Sequence, residues 1–321
     1  SGNAASPQEH CGATSPILTS PVSGEVRVGE VAAQCSWGEA ALPELPEVET
    51  VCRGLALKLE GKLLTRVEQR RQDLRFPLPL EFARRLTGRR IVRIVRRAKY
   101  MIWELDDGTA VIGHLGMSGR MVLGQGWPQV LEAHDHLIFQ AEDGVCLRFN
   151  DARRFGMMDL HPLADLDAHK LLKGLGPEPL GNEFNGPSLA ASLKGKKTSI
   201  KAALLDQKVV AGLGNIYVSE ALFRAGLSPK RSAHTVQGDR AEKLAVAIKA
   251  VLLEAIAAGG SSLRDYVQTD GELGYFQKQW RVYEREGKAC WRCNCDVAKT
   301  RGVKRITQSG RSTYFCPRKQ K

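Results

Sequence analysis

No stretch of the chain is long and apolar enough to cross a bilayer, which excludes a helical membrane protein. The first 42 residues lack both a basic n-region and a long apolar core, so they are no convincing signal peptide. In a chain without a secretion signal, eight cysteines do not suggest a disulfide framework. No internal repeat is visible. Acidic residues are in short supply: 35 Asp and Glu stand against 47 Lys and Arg, a formal charge of +12. The imbalance is uneven. Residues 1–42 carry one cation (Arg27) and four anions (Glu9, Glu25, Glu30, Glu39), net −3, which leaves +15 on residues 43–321. That first segment is rich in Ala, Ser, Gly and Pro, shows no sustained helical or strand period, and reads as disordered. The remaining 279 residues can hold two domains with real cores. Their charge favours a polyanionic partner, and nucleic acid is the commonest, because each neutralised phosphate releases counterions.

The pattern along the chain divides in two. Pro46 can open a helix, Glu47 and Glu49 suit the positive end of its first turn, and Val48, Val51, Leu55 and Leu59 mark one face up to Gly61. Strands are expected at 64–71, 90–96, 100–105, 109–115 and 145–150. Residues 161–195, which include Leu175-Gly176-Pro177-Glu178-Pro179-Leu180, read as a linker. Helices are expected near 199–206, 215–225 and 239–258. The fold class is therefore α+β and multidomain: an N-terminal β-sandwich with flanking helices, then a helical domain. Four of the cysteines (Cys290, Cys293, Cys295, Cys316) crowd into the last 32 residues, a clustering that reads as metal binding. Cys52 and Cys146 suggest no role beyond packing.

Several motifs in order carry a family resemblance. They are Leu42-Pro43-Glu44-Leu45-Pro46-Glu47-Val48-Glu49-Thr50, Arg97-Ala98-Lys99-Tyr100, His114-Leu115-Gly116-Met117-Ser118-Gly119, Asn150-Asp151-Ala152-Arg153-Arg154-Phe155-Gly156, Gly212-Leu213-Gly214-Asn215-Ile216-Tyr217 and Gly310-Arg311-Ser312-Thr313-Tyr314-Phe315-Cys316-Pro317. From residue 43 to the end the chain resembles the bacterial formamidopyrimidine-DNA glycosylases. The resemblance implies domains at 43–165 (catalytic sandwich), 196–283 (helix–two-turn–helix) and 284–321 (zinc-finger-like hairpin), with 166–195 as linker. It implies a cytoplasmic, nucleoid-associated, monomeric enzyme. That enzyme would remove 8-oxoguanine and formamidopyrimidines from double-stranded DNA and then cut the strand by β,δ-elimination. Two alternatives stay open: an endonuclease VIII-like preference for oxidised pyrimidines, and a catalytically silent binder of damaged DNA.

The resemblance also assigns residues. Pro43 would be the amine nucleophile and Glu44 the acid that opens the sugar ring. Lys99 would contact backbone phosphate and aid β-elimination, and Arg311 would grip the flanking phosphates with its planar fork. Met117, Arg153 and Phe155 would fill the hole left by an everted base. His134, Lys197, Lys201 and Asn215 match DNA contacts, and the Gly-rich turn before Asn215 offers a helix N-terminus to a phosphate. Ser261 to Phe276 resembles the loop over an everted purine. Two features depart from the family. Its finger uses a second C-x-x-C after about sixteen residues; here 22 residues separate Cys293 from Cys316, and Lys319 holds the fourth ligand position. Cys295 is then the candidate fourth ligand to zinc. The other departure is the start. A proline nitrogen inside a peptide bond has no lone pair to give, so Pro43 can react only in a chain that begins there. The expectation is that Leu42 marks a leucine-codon start and residues 1–41 are an over-extended reading. The alternative is a disordered tail, removed by proteolysis or retained.

Overall fold

The computed structural model describes residues 43–261, 275–293 and 296–321. Helix α1 (Leu45–Leu59) begins with Pro46 in its first turn and Glu47 reaching back to the N–H of Glu44. Its apolar stripe meets two different cores. Leu45 packs into the helical domain, whereas Val48, Val51, Cys52, Leu55 and Leu59 pack into the sandwich.

Two antiparallel sheets form that sandwich. One contains β1 (Leu64–Gln69), β5 (Arg120–Gln125), β6 (Asp135–Ala141) and β7 (Val145–Asn150), in the order β1-β6-β7-β5. The other runs β2-β3-β4-β8, from β2 (Ile91–Arg97), β3 (Tyr100–Leu105), β4 (Thr109–His114) and β8 (Met157–Pro162). Trp103, Phe139 and Phe149 fill the space between them, and the short helix α2 (Phe82–Leu86) adds Phe82 and Leu86. Strands β5, β6 and β8 carry little sequence signal. β6 is buried at six of its seven positions, so the alternation that marks a half-exposed strand is missing. The chain changes sheet three times, between β1 and β2, between β4 and β5 and between β7 and β8, and the last two crossings belong together. His114 pairs with Met157 and Arg120 with Asn150, so both connections leave the sandwich at one end, side by side.

The segment read as a linker is more ordered than its Pro and Gly content suggested. After β8 it holds a 3-10 turn at Leu163–Ala168 and helix α3 (Gly186–Leu193), capped by Asn185. Phe184, Leu189 and Leu193 sit in the helical core. α3 was illegible because it is eight residues long and starts with Gly186 and Pro187. The core is completed by α4 (Ile200–Leu205), α5 (Asn215–Ala225) and α6 (Asp239–Ala257), close to the expected helices. The short helix α7 (Val297–Thr300) precedes a hairpin of β9 (Lys304–Gln308) and β10 (Arg311–Phe315). Ser309 and Gly310 both have positive φ, as a tight two-residue hairpin turn requires.

Candidate active site

Glu44 is the N-cap of α1 by its backbone, yet its side chain serves another helix. Oε1 accepts the N–H of Ile216 at 2.9 Å and Oε2 that of Tyr217 at 3.4 Å, at the start of α5. Gly214 makes room for this: a Cβ there would lie 2.3 Å from the Glu44 carboxyl carbon. Gly212, at φ +83°, packs against Leu45 and accepts the Leu45 N–H through its carbonyl. The turn before Asn215 therefore does not offer an open helix N-terminus to a phosphate, as its glycines had suggested. A carboxyl group of the protein already occupies it. Glu44 is buried, and this desolvation pushes its pKa up to about 7. Lys99 opposes the rise, the charge of Glu47 adds to it, and the two α5 N–H groups oppose it. Pro43, buried beside it, completes the pair.

Lys99 sits in the tight turn from β2 to β3, where Ala98 takes φ +54°. Burial lowers its pKa; Glu44 works against that and Arg311 with it. The turn is clamped from the interdomain segment. Glu178 accepts the Ala98 N–H at 2.6 Å and pairs with Arg97 at 2.8 Å and Arg96 at 2.7 Å. In the sequence Glu178 stands inside the segment that reads as a linker. Its partners lie some 80 positions away, so nothing local in the sequence marks it. His114 also lines the cleft; burial, with help from Lys99 and Arg75, lowers its pKa to about 4, so it is neutral at pH 7.

The β4–β5 and β7–β8 connections carry the three residues expected to fill an emptied duplex. Met117 is half-buried at the edge of the cleft, while Arg153 and Phe155 are exposed, the guanidinium 5.4 Å from the ring centroid. Buried Asp151 ties the connections together. It accepts the Ser118 hydroxyl at 2.5 Å and the Gly156 N–H at 2.8 Å, and Ser118 Oγ in turn accepts the Arg153 N–H at 3.0 Å. The backbones touch at Gly116, where a Cβ would lie 2.3 Å from the Phe155 carbonyl carbon.

The hairpin brings Arg311, exposed, to the far wall of the cleft. Two residues expected to contact DNA hold the hairpin. Asn215 Nδ2 donates to Ser312 O at 3.0 Å. Lys201 is fully buried, and its Nζ donates to Ser312 O at 2.8 Å and Thr313 Oγ1 at 2.6 Å, so in this structure it is placed beneath the hairpin, away from the surface. His134 and Lys197 are exposed and outside the cleft lining. Glu44, Lys99, His114, Met117, Asn215, Tyr283 and Arg311 surround a cleft of about 290 Å³ between sandwich and helical domain. Tyr283 was not foreseen from sequence. Buried Glu220 positions its backbone, accepting the N–H groups of Arg281, Val282 and Tyr283. The proposed base-covering segment lies mostly outside the described residues.

Beyond the cleft, the sulfurs of Cys290, Cys293 and Cys316 lie within 4.8 Å of one another. Cys290 Sγ is 3.2 Å and Cys293 Sγ 3.8 Å from Cys316 Sγ. Sulfurs around a tetrahedral zinc, at Zn–S of about 2.3 Å, are about 3.8 Å apart, so this set fits the ion. Lys319 is turned onto the Phe223 ring, 4.3 Å from its centroid. Cys295 lies outside the described residues.

A narrow basic cleft between a sandwich and a helical domain, rimmed by a paired-loop wedge, suits a nucleotide swung out of a duplex. Fold and cleft together define a DNA glycosylase of the helix–two-turn–helix class. A family model for the formamidopyrimidine-DNA glycosylase N-terminal domain matches residues 42–158, and one for the formamidopyrimidine-DNA glycosylase H2TH domain matches residues 175–267. The chain is 59% identical over 290 residues to the formamidopyrimidine-DNA glycosylase of Rhodospirillum centenum, covering 87% of this chain and all of the relative. It is 57% identical over 280 residues to that of Acidiphilium cryptum, with the same coverage. Its fold matches MutM (Fpg) from Thermus thermophilus with a TM-score of 0.74 at 40% identity, covering 87% of this chain and 98% of that one. It matches wild-type Lactococcus lactis Fpg, in complex with DNA containing N7-benzyl-Fapy-dG, with a TM-score of 0.77 at 35% identity, covering 87% and 99%. The chain belongs to the formamidopyrimidine-DNA glycosylase family.

Proposed function

We propose that this protein is a base-excision repair glycosylase and AP lyase that removes 8-oxoguanine and formamidopyrimidines from duplex DNA, acting as a monomer in the bacterial cytoplasm. The observation that carries the reading is Glu44: a carboxyl group next to Pro43, buried in a basic cleft and half protonated near pH 7. The Pro43 amine, with a pKa of about 8 in a model peptide, attacks C1′ as the C1′–N bond to the base breaks. Glu44 gives its proton to the ring oxygen O4′ as the C1′–O4′ bond opens. The Schiff base so formed is an electron sink. Loss of a C2′ proton expels the 3′ phosphate, and a second elimination expels the 5′ phosphate. Lys99 and Arg311 stabilise the departing phosphates; Met117, Arg153 and Phe155 hold the emptied stack open. His134, Lys197 and Asn215 contact backbone, and Lys201 acts on it through the hairpin.

This chemistry needs a free amine on Pro43, so it is proposed for a chain that begins there. Cys290, Cys293 and Cys316 would hold one structural zinc, with Cys295 as the proposed fourth thiolate, and the ion would supply a rigid link at the base of the hairpin. The reading is tested with the Pro43-start protein and its Glu44→Gln variant on 8-oxoguanine opposite cytosine. Release of 8-oxoguanine by the first and a loss of about 100-fold or more in the second support it. Preference for an oxidised pyrimidine by the parent protein overturns the purine assignment.

A further inference from the structure

We infer that Glu47 is a positioning residue for the reaction: its carboxylate, one turn into α1, is a fixed anion that orients Pro43–Glu44 and stabilises the positive charge forming on Pro43. The inference rests on the reading of Pro43 and Glu44 given above and extends it to a residue without a role there. An ordinary capping box would explain one contact, Oε2 accepting the Glu44 N–H at 2.9 Å. It does not explain the rest. Oε1 accepts the Tyr217 hydroxyl at 2.5 Å and the Ser261 N–H at 2.8 Å, and the side chain is wholly buried. Gly260, at φ +80°, packs so closely that a Cβ there would be 3.2 Å from Oε1.

Each of these three contacts comes from a donor. A protonated Glu47 would turn a donor of its own toward them, so this shell selects the carboxylate. Burial raises the pKa of Glu47 above the ordinary carboxylate value, and the Ser261, Tyr217 and Glu44 donors offset part of that rise. Among the described residues, the groups facing it include Glu44 on its own helix, Tyr217 on α5, Ser261 after α6 and, electrostatically, Lys99 in the β2–β3 turn. The Glu44 N–H that it accepts belongs to the peptide joining Pro43 to Glu44, so the anion lies one peptide from the reacting nitrogen. There it opposes loss of the Glu44 proton and favours a cation on Pro43.

The test compares pH profiles of single-turnover excision by the Pro43-start protein and its Glu47→Gln and Glu47→Asp variants. Removing the charge lowers the pKa of the Pro43 amine and of the Glu44 acid together. Both limbs of the Glu47→Gln profile are therefore expected to move to lower pH, by about one unit, while Glu47→Asp loses rate but keeps its limbs. Limbs that stay in place in Glu47→Gln overturn the inference, since a purely structural defect lowers the curve without moving it. If Glu47→Gln fails to fold, Tyr217→Phe decides, because it removes one donor and leaves the Glu47 charge less compensated: limbs displaced to higher pH support the fixed anion, and limbs that stay in place overturn it. A parent protein that forms no borohydride-trapped adduct overturns the underlying reading, and this inference with it.

Discussion

Glu44 shows how one side chain can be placed by two helices. Its backbone starts α1, and its carboxyl meets the first N–H groups of α5. Burial makes the neutral acid accessible near pH 7, and the sign of the pH effect follows. The acid works only when protonated and the Pro43 amine only when free, so excision should peak between about pH 7 and 8 and fall by up to tenfold per unit on either side. A single-turnover pH series checks this, and a rate that keeps rising through pH 8.5 would contradict it. Gly214→Ala is a sharper probe of the same placement. Its methyl would meet the Glu44 carboxyl at 2.3 Å, so a fall of about 100-fold in excision is expected, with a destabilisation of about 1–3 kcal/mol. Unchanged excision by this variant would mean that Glu44 need not sit where it does.

At the scale of elements, the paired connections leaving the sandwich form one unit because Asp151 holds both. Asp151→Ala strands the Ser118 hydroxyl and Gly156 N–H, at a cost of about 1–3 kcal/mol. The expected signature is selective: excision from duplex falls about tenfold or more, while adduct formation on single-stranded abasic DNA, which needs no wedge, persists. Equal losses on both substrates would argue against a wedge. Such links also mark the limit of what the sequence discloses. The wedge residues, the Lys99 turn and the hairpin arginine were legible because each lies in a short, distinctive run. Asp151, Glu178 and Glu220 carry no such mark, because the Ser118 hydroxyl, the Ala98 N–H and the Val282 N–H reach them only through the fold. Lys201, matched to a DNA contact by the resemblance, is buried beneath a hairpin more than 100 positions away, a placement nothing local in the sequence marks.

On the scale of the whole molecule, the two domains and most helices were visible from periodicity and charge. Strands β5, β6 and β8 and helix α3 were not, being short or buried on both sides. The finger extends the design outward from the cleft. Metal analysis of the wild type should find one zinc per chain and Cys316→Ser should carry none; a zinc-free, folded wild type would remove the metal from the proposal. The central claim concerns Pro43 and is tested by borohydride trapping on 8-oxoguanine–cytosine duplex with two proteins, one starting at Ser1 and one at Pro43. A covalent adduct with the Pro43-start protein alone is the expected result, because only there is the nitrogen an amine. An adduct formed equally by the intact longer chain would place the nucleophile elsewhere.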